Sequence, residues 1–259
     1  MAARKPRLSS EETKSKLIDA GIQALCSSGM SVGLDSVNLE QAVRDADVSR
    51  SSAYAVWSNS GYSPQEEFQR EVLLRAISDR RKTLEELNSH VGALYDSLCK
   101  SGLSPREVMR ELIRQTSAKN VRATADSIGW KLVIALRAVL HSAPPSERSD
   151  ELVEWMNEQN AVLSQYTTEE VHKPMAAAFK LEPRPEYGER AWELAEVCAS
   201  AVSEGFSMRY WLGEGDYVDG VPHPASNDGE ANWGLFGLLY EQIVETFFIP
   251  TSGSWDEFV

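Results

Sequence analysis

The sequence predicts an all-α protein, built from an N-terminal head of three short helices and a larger C-terminal helical body. Apolar residues recur three and four positions apart along nearly the whole chain, which is the spacing of amphipathic helices. No segment sustains the two-residue alternation of strands, and no turn sequence makes a convincing β-hairpin. The 259 residues, 42% hydrophobic and 25% charged, suffice for a compact core.

Charge is distributed unevenly along the chain. Residues 1–82 contain 12 Lys and Arg against 11 Asp and Glu, a net charge of +1, whereas residues 83–259 contain 14 against 28, a net charge of −14. The first sixteen residues form a basic arm with only two acids. Its cations are Arg4, Lys5, Arg7, Lys14 and Lys16. Such an arm is either a solvated tail or a contact for phosphates, and the sequence leaves both readings open.

Several classes of protein are not indicated. No stretch approaches the roughly 20 uninterrupted apolar residues of a membrane span, and the first ten residues lack the apolar run of a signal peptide. We therefore expect a cytoplasmic protein without membrane contact. The cysteines, Cys26, Cys99 and Cys198, are too dispersed to indicate a disulfide framework or a metal site, and we expect no cofactor.

The helices follow one another with recognisable boundaries. Ser9 and Glu12 form a capping box before the first helix, which ends near Gly29. Asn38 begins a second helix over residues 39–46, and Ser49 caps a third over 50–57. A fourth begins at Pro64 after a turn-rich segment and runs towards residue 98. Later helices are predicted at about 105–118, 125–141, 146–181 with a break near Pro174, 185–212 and 230–248, with a loop over 213–229.

The second and third helices carry the most specific pattern. They are joined only by Asp47-Val48-Ser49, a connection as tight as a helix-turn-helix needs to place its second helix in the major groove of DNA. Val48 would fill the space between the helices, and Ser49 would cap the recognition helix, whose free N–H groups favour a phosphate. Arg50, Ser51 and Ser52 at its start are suited to phosphates and base edges.

This pattern resembles the TetR family of transcriptional regulators. The run NLEQAVRDADVSRSSAYAVW over residues 38–57, followed by Gln65-Glu-Glu-Phe68, matches the family's head in order and spacing over roughly residues 10–75. Three positions differ from the family's pattern: Asp47 stands where the family has a turn glycine, Trp57 where it has Phe, and Gln65 where it has a Lys that contacts phosphate. The loop after Trp57 is also longer than is usual in the family. The resemblance implies a DNA-binding domain over residues 1–63 and a ligand-binding and dimerisation domain over 64–259. The implied DNA contacts are Arg4, Lys5, Arg7, Asn38, Ser49, Arg50, Ser51, Ser52, Tyr54 and Gln65, with a core role for Tyr54 as the alternative.

The family's architecture implies a homodimer in which the last two long helices pair with their copies in a four-helix bundle. Apolar residues recur on one face of each predicted closing helix. The candidate interface residues are Ala199, Val202, Phe206, Leu235, Leu239 and Ile243. An ordinary core within one chain is the alternative reading of the same pattern.

The architecture also implies an effector site between the head and the bundle. Large, mostly apolar side chains with a few polar groups are typical of such a pocket, although each is also a plausible core residue. The candidates are Trp130, Ile134, Arg137, Trp155, Met156, Gln159, Tyr166 and Met175. Arg137 lies on an apolar run and needs an acid or an anionic ligand as its partner.

The sequence bears on three possible functions. The leading hypothesis is a regulator, most often a repressor in this family, that binds a double-stranded DNA operator and leaves it when a small hydrophobic effector binds. An enzyme is not indicated, because the chain has no glycine-rich phosphate loop, no His-x-x-x-His pair and no nucleophile elbow. The remaining alternative is a TetR-like protein with lost or weak DNA binding that acts through a protein partner, which Gln65 and the weakly basic head favour.

Overall fold

The computed structural model describes residues 8–27, 37–59, 61–142, 150–222 and 232–255. These residues are mostly helical, as predicted. The helices are α1 (Ser10–Ser27), α2 (Leu39–Asp45), α3 (Arg50–Val56), α4 (Pro64–Leu98), α5 (Pro105–Asp126), α6 (Ile128–Ser142), α7 (Asp150–Thr167), a π-helical turn (Thr168–His172), α8 (Lys173–Ala178), α9 (Arg190–Trp211), α10 (Asp216–Asp219) and α11 (Leu235–Phe247). Among the described residues, no helix has the length and apolar character that crossing a membrane requires.

Short strands depart from the purely helical prediction. β1 (Leu181–Pro183) pairs antiparallel with β4 (Phe248–Pro250), and β2 (Val221–Pro222) pairs antiparallel with β3 (Asn232–Trp233). With two or three residues each, these strands are too short to show an alternating pattern. The two strand pairs leave the helical fold class unchanged.

The chain divides into two compact units that interleave in sequence. Unit 1 comprises Met1–Arg80 and Ile128–Ser149, and unit 2 comprises Arg81–Ser127 and Asp150–Val259. The first part of α4 and all of α6 belong to unit 1 together with α1, α2 and α3. The functional boundary expected after residue 63 stays a prediction.

Unit 1 is built around α1, α2, α3 and the start of α4. The α1 residue Leu17 and the α4 residues Phe68 and Val72 are fully buried in one cluster with apolar residues of α2 and α3. Trp57 meets the Phe68 ring edge on, with centroids 5.6 Å apart. The aromatic at position 57 therefore packs the end of α3 against α4.

A buried cation joins α4 to α6 within unit 1. Arg80 is only 2% exposed, and its guanidinium carbon lies 3.9 Å from the centre of the Trp130 ring. Gly129 lets the two backbones approach, because a Cβ there would lie 2.4 Å from the carbonyl oxygen of Ala76 and 2.5 Å from Arg80 Cγ. The stack combines cation–π attraction with close packing of the two helices.

Gly129→Ala should consequently destabilise unit 1, by about 1–3 kcal/mol, because a helix backbone has to move to admit the methyl group. Gly92→Ala is the matched control: Gly92 also lies within a helix, but a Cβ added there would meet nothing within 4 Å. This control should gain about 0.5–1 kcal/mol. Urea unfolding followed by circular dichroism would measure both changes, and equal stability of the two variants would contradict the packing described.

Unit 2 is organised by α5, α9 and α11, which pack against one another. Three apolar clusters and a polar seam occupy the contacts of these helices. In the seam, Ser203 Oγ donates to Asn120 Oδ1 (3.1 Å) and Ser207 Oγ donates to the Val121 carbonyl (3.3 Å). Beyond α11, β4 pairs with β1, and the Trp255 carbonyl accepts a hydrogen bond from Arg106 Nη1 at 3.1 Å.

Candidate functional site

The connection between α2 and α3 is built by two caps and one unusual backbone conformation. Asn38 caps α2 by accepting a hydrogen bond from the Gln41 N–H at 3.0 Å, and Ser49 caps α3 by accepting one from the Ser52 N–H at 3.1 Å. Asp47 has φ +51°, in the left-handed region that Asp tolerates better than most residues. The Val48 N–H then donates to the Val43 carbonyl (3.3 Å), which closes the turn.

The beginning of α3 is exposed and rich in hydroxyl groups. Ser49 Oγ shares hydrogen bonds with Ser51 Oγ (3.2 Å) and Ser52 Oγ (2.7 Å). Ser49, Arg50 and Ser51 are exposed, whereas Ala53, one turn further on, is buried. The chain therefore presents the N-terminal end of α3 to solvent and keeps its opposite face in the core.

A three-residue network fixes the side chains beside this end. Arg50 Nη2 lies 2.8 Å from Glu40 Oε1, and the Tyr54 hydroxyl donates to the same oxygen at 2.6 Å. The hydrogen bond from Tyr54, and then the charge of Arg50, lower the pKa of Glu40. The Arg50 side chain nevertheless remains 73% exposed. Glu40 is a residue that sequence reasoning missed, because a helix-surface Glu carries no motif of its own.

Gln65 has a structural role that the sequence did not reveal. Its Oε1 accepts a hydrogen bond from the Leu39 N–H (2.8 Å), and its Nε2 donates to the Val37 carbonyl (2.7 Å). The amide thus joins the start of α4 to the start of α2. The expected phosphate contact by Gln65 would have to compete with these bonds. Arg4, Lys5 and Arg7 of the expected basic arm lie outside the described residues.

The expected effector-site residues belong to different compact units. Trp130, Ile134 and Arg137 lie on α6 in unit 1, where Trp130 is buried against Arg80. The others lie in unit 2: Trp155, Met156, Gln159 and Tyr166 on α7, and Met175 on α8. Met156 is buried, Met175 packs in an apolar cluster, and Tyr166 lies 5.1 Å from the Arg81 guanidinium. The eight candidates thus form two groups, one in each unit.

Most of the expected interface residues face the protomer's own interior. Ala199 is buried, and the half-buried Val202 and Phe206 pack on the cluster of Val121 and Phe236. Ile243 packs on a second cluster, and Leu235 is half-buried. Ala199, Val202 and Phe206 therefore belong to a core within one chain, which was the alternative interpretation of the sequence pattern. Leu239, at 45% exposed, is the one candidate that reaches the surface.

A different face of α9 carries exposed apolar and small residues. Val197, Ala201, Gly205, Met208 and Leu212 recur four, four, three and four positions apart, all exposed, and Trp211 lies beside the last of them. We call this row of six the α9 stripe. Leu212, at 76%, is more exposed than Val197, Met208 or Trp211, and together the six residues form an exposed apolar row. Sequence periodicity could not separate this face from the inward one, because both faces are apolar.

Unit 2 also contains a buried group of titratable side chains that sequence reasoning missed. His172 Nδ1 of the π-helical turn lies 3.5 Å from Glu196 Oε2 of α9, and the ring of Tyr240 on α11 lies 6.3 Å from the imidazole, centroid to centroid. Burial lowers the pKa of His172 to about 4 and raises that of Glu196 to about 7. We call these three residues the Glu196 cluster. Their separation in sequence left no motif to find.

Unit 2 also contains a polar cleft. It has a volume of about 320 Å³ and is lined by Arg106, Arg110, Leu238, Glu241, Gln242 and Glu245. Its guanidinium groups are paired, Arg110 with Glu241 at 2.8 Å and Arg106 with Glu245 at 3.3 Å. Among the residues the structure describes, no group of three His, Cys, Asp or Glu side chains could hold a metal ion.

Known proteins offer no match from which a function could be transferred. No protein-family model, no curated protein and no solved structure matches this chain.

Proposed function

We propose that the protein is a DNA-binding transcriptional regulator that uses α3 as its recognition helix and works as a homodimer controlled by a small-molecule effector. The observation that carries the proposal is the α2–turn–α3 unit, in which a capped and exposed helix start presents Arg50 and Ser51. A helix of this kind can enter a major groove with its first residues at base edges, while its N–H groups and positive dipole end favour a phosphate.

The homodimer would use the α9 stripe together with Leu239 of α11. An apolar row along an exposed helix loses its contact with water when it packs against its own copy around a two-fold axis. Gly205 and Ala201 in the middle of the stripe leave room for a close approach of two helices. This surface takes the place of the inward-facing Ala199, Val202 and Phe206 that the sequence pattern suggested.

Control by an effector would act through α4, which runs without interruption from Pro64 in unit 1 to Leu98 in unit 2. A ligand that binds more tightly when α4 is in one of two positions favours that position and thereby changes the affinity of the protein for DNA. By the same linkage, bound DNA changes the affinity for the ligand by the same factor. A coupling of about 1–3 kcal/mol is typical.

The test begins with selection of bound fragments from the source genome at low salt. An enriched, pseudo-palindromic sequence supports the proposal, and its half-sites should lie about one helical turn or more apart. If no sequence is enriched, the protein-partner alternative takes its place. Two observations favour that alternative: Glu40 adds negative charge beside Arg50, and Gln65 is engaged within the protein.

Arg50→Ala should weaken binding to the selected operator by about 1–3 kcal/mol, because the guanidinium is the most exposed cation at the start of α3. Arg75→Ala, which removes an equal charge from α4 in the same unit, is the control and should change affinity much less. Fluorescence anisotropy at a fixed salt concentration would measure both. Equal losses in the two variants would show that Arg50 contributes only general electrostatics.

A further inference from the structure

The Glu196 cluster contains a carboxyl group without a cationic partner of its own. Its side chain is 11% exposed, and among the described residues the one basic group within ion-pair distance is the His172 imidazole, 13% exposed. Desolvation lowers the imidazole pKa to about 4, so this ring is neutral at physiological pH. The carboxylate is therefore buried next to a hydrogen-bonding group and lacks a compensating positive charge.

The cations on the surrounding helices pair with other acids or are exposed. On α5, Arg110 pairs with Glu241, Arg106 with Glu245 and Arg114 with Glu111, while Lys119 and Arg122 are exposed. On α9 itself, Arg209 pairs with Glu214 and Arg190 is exposed. Lys173, next to His172 in the chain, has its Nζ 2.6 Å from Glu169. The α11 sequence LFGLLYEQIVETF contains neither Lys nor Arg. The elements packed around Glu196 thus leave its charge to be balanced by a proton or by a bound cation.

The surroundings suit an organic cation better than a bare metal ion. Tyr240 packs its ring against Phe236, with centroids 5.9 Å apart, and the imidazole adds a third ring. Aromatic faces attract cations and at the same time accommodate an apolar substituent. The net charge of −14 on residues 83–259 also favours the approach of cations over anions.

The cluster includes a segment with an irregular backbone. His172 ends the π-helical turn, in which the Lys173 N–H donates to the Thr168 carbonyl five residues earlier. Such turns are rare and occur frequently at functional sites. Asn88 Nδ2 of α4 donates to the Glu170 carbonyl of this turn at 3.0 Å, so a rearrangement at His172 is connected to α4 within unit 2.

We propose that Glu196, His172 and Tyr240 form a binding site for a protonated amine that carries an apolar or aromatic group. The Glu196 carboxylate pairs with the ammonium group, the imidazole accepts one of its hydrogen bonds, and the rings of Tyr240 and Phe236 contact the apolar part. The identification of this amine as the effector rests on the proposed function, whereas the site itself does not.

The test uses the full chain and two probes of the same shape, phenethylamine and phenethyl alcohol, in isothermal titration calorimetry at pH 7. The amine should bind and the alcohol should bind at least about tenfold more weakly, because only the amine compensates the buried charge. Glu196→Gln should weaken amine binding by about tenfold or more and leave alcohol binding unchanged. Glu193→Gln, which removes an exposed carboxylate one turn earlier on α9, should leave both unchanged.

Proton release provides a second, independent readout. Because Glu196 has a pKa of about 7, it is about half protonated at pH 7, and the bound ammonium should displace that fraction of a proton into the buffer. Calorimetry in two buffers of different ionisation enthalpy measures this release, which should vanish in Glu196→Gln.

Three outcomes would overturn the site: no amine binding at millimolar concentration, equal binding of amine and alcohol, or amine binding that survives Glu196→Gln. Because no DNA is present, failure here leaves the proposed DNA binding untouched. Conversely, amine binding without enrichment of any genomic fragment would support the amine site and contradict the proposed function as a DNA-binding regulator.

Discussion

A protein carrying Met208→Glu together with Leu212→Glu should be monomeric in solution and should lose operator binding by about 100-fold or more. The α9 stripe is exposed in the protomer, so the two carboxylates leave its core intact and act only where two copies meet. A two-fold axis presents every substitution twice, and four buried charges would face one another there. The loss in DNA affinity follows because a monomer binds one half-site at a time.

Light scattering and anisotropy with the selected operator would measure these effects. Val162→Glu is the matched control, because Val162 is also an exposed apolar residue but lies on α7 and not on α9. It should remain dimeric and bind DNA normally. A stable dimer of the double variant would show that the stripe is not the contact between copies.

Glu196→Gln and His172→Phe should give the protein opposite pH dependences of stability, whereas the wild type should be nearly independent of pH between 5 and 8.5. The Glu196 pKa is raised to about 7 in the folded protein from 4.5, so the stability it contributes is lost as pH rises through 7. The His172 pKa is lowered to about 4 from 6.5, so the stability associated with its neutral form is lost as pH falls below 6.5. In the wild type the two trends offset each other.

Each single variant keeps only one of the two titrating groups, so its stability should follow the pH dependence of that group alone. Glu196→Gln should lose about 2 kcal/mol between pH 8.5 and pH 5, and His172→Phe should lose about 2–3 kcal/mol between pH 5 and pH 8.5. The pKa shift of each residue should persist when the other residue of the pair is replaced, because desolvation is the cause of both shifts. Burial also raises the pKa of Tyr240, which stays protonated throughout. Urea unfolding at several pH values measures these slopes, and parallel slopes in the two variants would contradict the assignment.

The sequence predicted the head helices closely because their signals are local. Asn38 and Ser49 are caps, and a cap determines where a helix begins by its own hydrogen bond to a backbone N–H nearby in sequence. The DNA-binding, effector and dimer assignments stay predictions.

What the sequence could not supply depends on contacts between distant residues. Both faces of α9 carry apolar residues, and helical spacing alone does not indicate which face meets α5 and α11 of the same chain. The bridging amide of Gln65 and the buried Glu196 were missed for a related reason. A polar residue is expected at the surface until the groups packed around it are known.

The interleaving of the two units limits how this protein can be recombined. Unit 1 takes its residues from two stretches separated by α5, and Arg80 and Trp130 of the buried stack come from different stretches. A single crossover after residue 63 or residue 80 would transfer α1, α2 and α3 without α6. Exchange of the whole unit needs three junctions, one near residue 80 and two that flank the stretch containing α6. If the proposed function holds, variation in DNA specificity should therefore accumulate by point substitution in α3 more readily than by exchange of unit 1.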